Sequence, residues 1–208
     1  MLTRFGGHDV LFVMAVDAEY GPHLRRRFTP LMTGVGPVEA ALVLTEALTR
    51  LALAGTPPDL VVSLGSAGSA RLRHGAVYQA RSVSWRDIDA SPLGIPRGIT
   101  PFSGLPATLP LGPAIPGLPQ ATLSTGANIV SGAAYDPIPE DMVDMETWSA
   151  ARACQRAGLP LIALRGISDG QSDLTGLNDW TSYLPLVDKA LAEALDRLET
   201  ALANGLLT

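Results

Sequence analysis

Leu161-Ile162-Ala163-Leu164-Arg165-Gly166-Ile167-Ser168-Asp169 is an apolar run that takes in an arginine and closes on a serine–aspartate pair. Residues 160–166 read as a buried strand, and the Ser-Asp pair falls where such a strand opens into a loop. In open α/β folds ligands bind beyond the carboxyl ends of the strands, so an acid there is placed to meet a small molecule. Upstream, Val143-Asp144-Met145-Glu146 sets a second acidic pair just ahead of a helical pattern, and Glu19 follows the first apolar run, residues 10–15. Three carboxylates at three expected strand ends point to acid/base chemistry.

Working outward, apolar runs alternate with helical patterns. Residues 10–15 read as a core strand, 18–28 as a helix and 30–33 as a short strand entering Gly34-Val35-Gly36. Pro37, suited to a first helical turn, starts a helix that runs to Ala54 and stops at Gly55. Residues 60–64 form the next strand, ending in Gly65-Ser66-Ala67-Gly68, and residues 77–83 another. A helix over 147–157 is closed by Gly158. In the last helix Leu184, Val187, Leu191, Leu195, Leu198 and Leu202 recur at spacings of three and four, one apolar face for a sheet. The alternation predicts a single three-layer αβα domain over residues 1–208 with a central mixed, largely parallel sheet. Residues 92–119, rich in Pro and Gly and without periodicity, predict a loop or lid beside a site, holding one short strand at most.

A chain of 208 residues, 47% hydrophobic and 17% charged, fits one domain with a substantial core. A net charge of -5 argues against binding nucleic-acid backbones. Arg25-Arg26-Arg27 reads as a solvated helix end, in preference to an anion site. The single cysteine, Cys154, excludes an intrachain disulfide and a cysteine-rich zinc site, and three scattered histidines predict no bound metal. No apolar run approaches the roughly 18 to 20 residues that cross a bilayer. The expectation is a cytoplasmic protein that binds neither membrane nor nucleic acid.

The two glycine segments, Gly34-Val35-Gly36-Pro37 and Gly65-Ser66-Ala67-Gly68, let backbone N–H groups approach a ligand closely, although a plain tight turn explains either. Neither is a P-loop or a dinucleotide fingerprint. Taken in order with Glu19, Met145-Glu146 and Arg165-Gly166-Ile167-Ser168-Asp169, they resemble the nucleoside phosphorylase and nucleosidase superfamily, and within it the methylthioadenosine/S-adenosylhomocysteine nucleosidases. The resemblance spans about Asp9 to Leu198 and is weakest in the middle.

The resemblance implies hydrolysis of the N-glycosidic bond of a 5′-modified purine nucleoside, with release of adenine. Asp169 would protonate N7 of the base, oriented by Ser168. Glu19 would act as general base on a water that Arg165 and Ser66 help to hold. Glu146 would bind the ribose hydroxyls, with Met145 packed against the sugar, and Asp144 would serve the structure. Ser66, Ala67, Gly68, Ile129 and Val130 would line the base and sugar subsites, Ile129 or a neighbour standing where relatives stack an aromatic. Trp180 and Tyr183 fall where the family covers the 5′ substituent, which is left open as methylthio, homocysteinyl or a larger apolar group. Water, acid and base suffice, so no cofactor is implied. The family also implies a homodimer, and Trp85-Arg86-Asp87-Ile88-Asp89 is the candidate contact.

Phosphorylases of the superfamily hold phosphate with a Gly-Asp-Pro segment and an arginine near the first strand, and with a second arginine ahead of the glycine–serine turn. Here Ala15-Val16-Asp17-Ala18-Glu19 and Val62-Ser63-Leu64-Gly65-Ser66 stand instead, without those bidentate partners. Hydrolysis is the favoured reading. A phosphate-dependent phosphorylase and a non-catalytic nucleoside-binding protein stay open beside it.

Overall fold

The computed structural model describes residues 2–170 and 172–207. In chain order it comprises β1 (Thr3–Phe5), β2 (His8–Met14), α1 (Pro22–Arg25), β3 (Leu31–Met32), α2 (Pro37–Leu53), β4 (Leu60–Gly68), β5 (Val77–Trp85) and β6 (Thr108–Pro110). There follow β7 (Gln120–Thr125), β8 (Met142–Asp144), α3 (Thr147–Ala157), β9 (Leu161–Asp169), α4 (Leu177–Thr181) and α5 (Leu184–Ala203). Single 3₁₀ turns cover Asp17–Glu19, Ser91–Leu93 and Gly132–Tyr135.

All nine strands among the described residues belong to one mixed sheet. From β4 the path runs through β8 and β7 to β5, and β9 pairs with both β5 and β4, so these five strands close into a ring. The long β4–β9 pairing is parallel, and β5–β9 is antiparallel. Both faces are covered, which is why β2 reads as one continuous apolar run. Val10, Phe12 and Met14 pack with Leu191, Leu195 and Leu198 of α5, whereas Leu11 and Val13 pack with Leu44 and Leu48 of α2 and with Trp148 of α3. Gly166 lets α5 lie close on β9, since a methyl there would collide with Val187.

Three expectations need correction. The helix over 18–28 is only the four-residue α1, because Pro22 holds Gly21 in an extended conformation and the chain can turn helical only from Pro22 onward. Tyr20, Leu24 and Phe28 keep their spacing and are buried all the same. Gly65-Ser66-Ala67-Gly68 is not a turn after a strand. It continues β4, because β9 pairs alongside as far as Asp169. The second half of the Pro/Gly-rich stretch is pinned rather than lid-like. β6 pairs with β5, Ile115 is in the core, and Gln79 accepts from the Ile115 N–H and donates to the Pro113 carbonyl.

Candidate active site

The carboxyl ends of β2, β4 and β9 and the start of α2 converge. Glu19 leaves β2 on the 3₁₀ turn, and the segment after it is fixed from α5, where buried Asp188 accepts the N–H groups of His23 and Leu24 at 2.9 and 3.0 Å. The Glu19 carboxylate lies over Gly65, where a Cβ would sit 3.0 Å from its Oε2. The Ser66 N–H donates to Glu19 Oε1 at 2.8 Å, and the Ser66 hydroxyl donates to the same oxygen. Trp180 of α4 donates its indole N–H to Ser66 Oγ at 2.9 Å, so the serine is held from both sides.

Glu146 caps the start of α2. Its Oε1 accepts the Gly36 N–H at 2.8 Å, and Gly36 has φ +95°, a backbone conformation open to glycine. The Gly34-Val35-Gly36 amide expected to meet a ligand therefore serves a carboxylate of the site itself.

Arg165 departs from its expected role. Its Nε and Nη2 reach Asp144 Oδ2 at 3.1 and 3.0 Å, Nη1 reaches the carbonyls of Ser63 and Leu164, and Nη2 also reaches Ser63 Oγ and Thr147 Oγ1. Every N–H of the guanidinium is directed to a protein acceptor, so it has none left for a water. Asp144 is completed by Thr125 Oγ1 at 2.6 Å and by the N–H and hydroxyl of Thr147. This buried pair ties β9 to the β8–α3 junction that carries Glu146.

Between Glu19, Ser66, Glu146 and Arg165, walled by Met14 and Thr33, lies a cavity of about 20 Å³. A single water needs roughly 10–15 Å³ of such space, so the cavity is water-sized. Asp169 stands outside it, where β4 and β9 shift register beside Gly68. Its Oδ1 accepts the Ser168 hydroxyl at 2.6 Å, the expected orientation, while Oδ2 faces Gly68. His74 lies near enough to act on its charge.

Burial dominates the electrostatics. It raises the pKa of Glu19 against the two Ser66 hydrogen bonds, and that of Asp169 against Ser168 and His74. Glu146 rises to about 7, from burial first and the Asp144 charge second, opposed by Gly36. A carboxyl whose pKa is higher in the folded chain than in the unfolded one weakens the fold once it ionises. The effect is absent below the ordinary value of 4.5 and complete above about 7. Glu146→Gln is therefore expected to raise the melting temperature at pH 8 and to leave it unchanged at pH 4.5. Thermal denaturation at the two pH values checks this, and an equal shift at both would contradict it.

The remaining expected positions are dispersed. Ala67 is buried in the core on the α2/α3 face, and Met145 is half-buried at the β8–α3 turn. Ile129 is 73% exposed, whereas Val130 is buried with Tyr135, Ile138 and Val143. Tyr183 sets its ring edge-on to His74, 4.9 Å between centroids. Arg86 and Asp87, expected to meet a partner, also make contacts within the chain, Arg86 from a half-buried position and Asp87 from an exposed one. Arg86 donates to the carbonyls of Ser124, Asn128 and Asp144, and Asp87 accepts the Ala127 N–H. Arg25 pairs with Asp17 and covers the Tyr20 ring, and Arg27 pairs with Asp196, consistent with a solvated surface. Burial pushes the Cys154 thiol up to about 12, which leaves it unreactive. Among the described residues no group of three or more His, Cys, Asp or Glu side chains could hold a metal ion, and no helix is long and apolar enough to cross a membrane.

Sequence reasoning missed Gly36, His74 and Tyr135. The first was quoted for its backbone but not paired with Glu146. The other two lie in loops whose only signal was an isolated ring.

No protein-family model matches the chain. It is 26% identical over 183 residues to a 5′-methylthioadenosine/S-adenosylhomocysteine nucleosidase of Actinobacillus succinogenes, covering 78% of this chain and 76% of that protein. It is 28% identical over 192 residues to the protein of that name from Haemophilus influenzae, covering 81% and 80%. Among solved structures it superposes on the nucleosidase of that name from Neisseria meningitidis, in complex with methylthio-immucillin-A. There the TM-score is 0.75 at 19% identity, over 92% of this chain and 98% of that one. It also superposes on the futalosine hydrolase of Helicobacter pylori with a TM-score of 0.74 at 20% identity, over 91% and 96%.

Proposed function

From a chain with the fold of the nucleoside phosphorylase/nucleosidase superfamily, we infer a purine nucleosidase that hydrolyses the N-glycosidic bond of a 5′-modified adenine nucleoside. The observation that carries this reading is the water-sized cavity faced by Glu19 and Ser66 and bordered by Glu146, with Asp169 at the next strand end.

Water held against Glu19 gives up a proton to it as the oxygen attacks C1′. The C1′–N bond breaks, its electron pair leaves with the base, and protonated Asp169 supplies a proton to the base nitrogen. Glu146 accepts hydrogen bonds from the ribose hydroxyls, and its charge favours the cationic sugar that develops. Positioned acids and bases of this kind contribute about 10²- to 10⁴-fold each. Ser168 holds Asp169, Ser66 and Trp180 hold Glu19, and Arg165 acts from beneath through Asp144 and Thr147.

Burial raises both Glu19 and Asp169, the first of which must be ionised and the second protonated. The expected kcat/KM profile is a bell whose acid limb lies above the ordinary carboxylate range. A rate that stayed flat down to pH 4 would contradict the base assignment.

The substrate experiment is chromatographic detection of free base from methylthioadenosine, S-adenosylhomocysteine, adenosine and inosine. Adenine release from the 5′-thio nucleosides ahead of inosine is the expected result; silence on every nucleoside by a folded chain would overturn the reading. The futalosine hydrolase likeness favours a second 5′ group, so futalosine belongs in the same panel. In this reading the chain is a single domain acting on a small molecule in the cytoplasm, as a homodimer.

A further inference from the structure

The leaving base must come within hydrogen-bonding distance of the Asp169 oxygen that no other described residue is shown to engage. Oδ1 is taken by Ser168, so that oxygen is Oδ2, which faces Gly68. The position above Gly68 is already filled. A Cβ placed there would lie 2.9 Å from Asp169 Oδ2 and would collide with the hydroxyl of Tyr135.

Tyr135 ends the 3₁₀ turn Gly132–Tyr135 and packs its ring among Val130, Ile138 and Val143, an apolar cluster separate from the main core. Its hydroxyl is buried and has no hydrogen-bond partner among the described residues. An unpaired buried hydroxyl is costly, so a state of the molecule that gives it a partner is favoured by that bond. The ring also borders a second cavity, of about 210 Å³, formed with Arg71, Glu140 and Asp141. That cavity is polar and roomy enough to receive the tyrosine tip. The water-sized cavity beside Glu19, by contrast, does not extend to Asp169.

We propose that Tyr135 occupies the leaving-base position of the free chain and determines which leaving group the site admits, withdrawing toward the Arg71–Asp141 cavity when a purine binds. The proposal rests on the nucleosidase reading and specifies the subsite that reading leaves open. A base is accepted when its contacts with Asp169 and the Val130–Val143 wall exceed those that Tyr135 gives up. Purines, with more ring surface, are favoured over single-ring bases on that ground. Apparent affinity is lowered by the fraction of molecules in which the tyrosine is withdrawn, a reduction of about tenfold if that fraction is one in ten.

Calorimetric titration of adenine into the wild type, Tyr135→Phe and Tyr135→Leu tests this. Leucine ends well short of Gly68, so the base position is no longer filled, and it is expected to bind adenine about tenfold or more tighter than wild type. Phenylalanine keeps the ring in its apolar cluster but loses the hydroxyl that is unpaired over Gly68 and would find partners in the Arg71–Asp141 cavity, so it is expected to stay in place and to bind adenine more weakly than wild type. A residue that merely walled the pocket would weaken binding in Leu and leave Phe unchanged, which would overturn the proposal. Phe is the variant least open to misfolding, and Phe as tight as wild type or tighter overturns the proposal even if Leu does not fold. Wild-type base release with no tightening in Leu overturns the proposal and leaves the nucleosidase reading standing. No base release by the wild type and no adenine binding by any variant overturns both.

Discussion

Asp169→Asn is expected to slow base release by about 10²- to 10⁴-fold and to leave adenine affinity within a few-fold of wild type. The two side chains have the same shape, and an amide oxygen can still accept the Ser168 hydroxyl bond that orients Oδ1. What the amide lacks is an acidic proton for the departing base. Burial raises the Asp169 pKa, so the acid form persists to higher pH than an exposed aspartate would allow, and the substitution removes a group held in its proton-bearing form. The loss falls on kcat, because the proton moves in the transition state and not on binding. Single-turnover kinetics read against calorimetric adenine affinity separate the two. A variant that kept a third of wild-type kcat would remove Asp169 from the acid role.

Arg165→Met is expected to produce the largest loss of stability. The side chains of Arg165 and Asp144 are 3% and 1% exposed and 3.0 Å apart. Removing the guanidinium leaves the Asp144 carboxylate buried among Thr125 and Thr147 without its counter-charge. Breaking such a pair costs about 3–5 kcal/mol, a fall in melting temperature of roughly 10 °C for a chain of this size. Adding Asp144→Asn removes the stranded charge and is expected to restore part of the loss. Melting curves of the single and double variants test this. A single variant within 2 °C of wild type would mean that the pair does not hold β9 to the Glu146 junction.

Much of the fold was legible because local and tertiary demands coincide. Val10 to Met14 is buried on both faces, so its unbroken apolar run fits a central strand. Gly158 takes φ +69° at the helix end its position announced, and α3 has the expected bounds. Legibility failed where a distant partner decides. Nothing in Gly65-Ser66-Ala67-Gly68 shows that β9 will extend it as a strand, and the closed ring through β5 depends on pairings far apart in sequence. At the site, Glu19, Glu146 and Asp169 stood out as candidates because an acid at a strand end is unusual and visible. The Asp144 partner of Arg165 was not legible because guanidinium chemistry looks the same whether its partner is a water or a carboxylate. Tyr135 was invisible for a related reason. A lone aromatic in a loop carries no periodicity, and its importance comes from Gly68 on a strand more than sixty residues before it.

The central claim is that Glu19 activates water, and its most direct test is adenine release from methylthioadenosine with and without added phosphate, with the sugar product identified by mass spectrometry. The expected result is one rate in both conditions and a free 5-methylthioribose product. Release that needs phosphate and yields a sugar 1-phosphate would contradict it, and would mean that phosphate, and not a water held by Glu19, is the nucleophile.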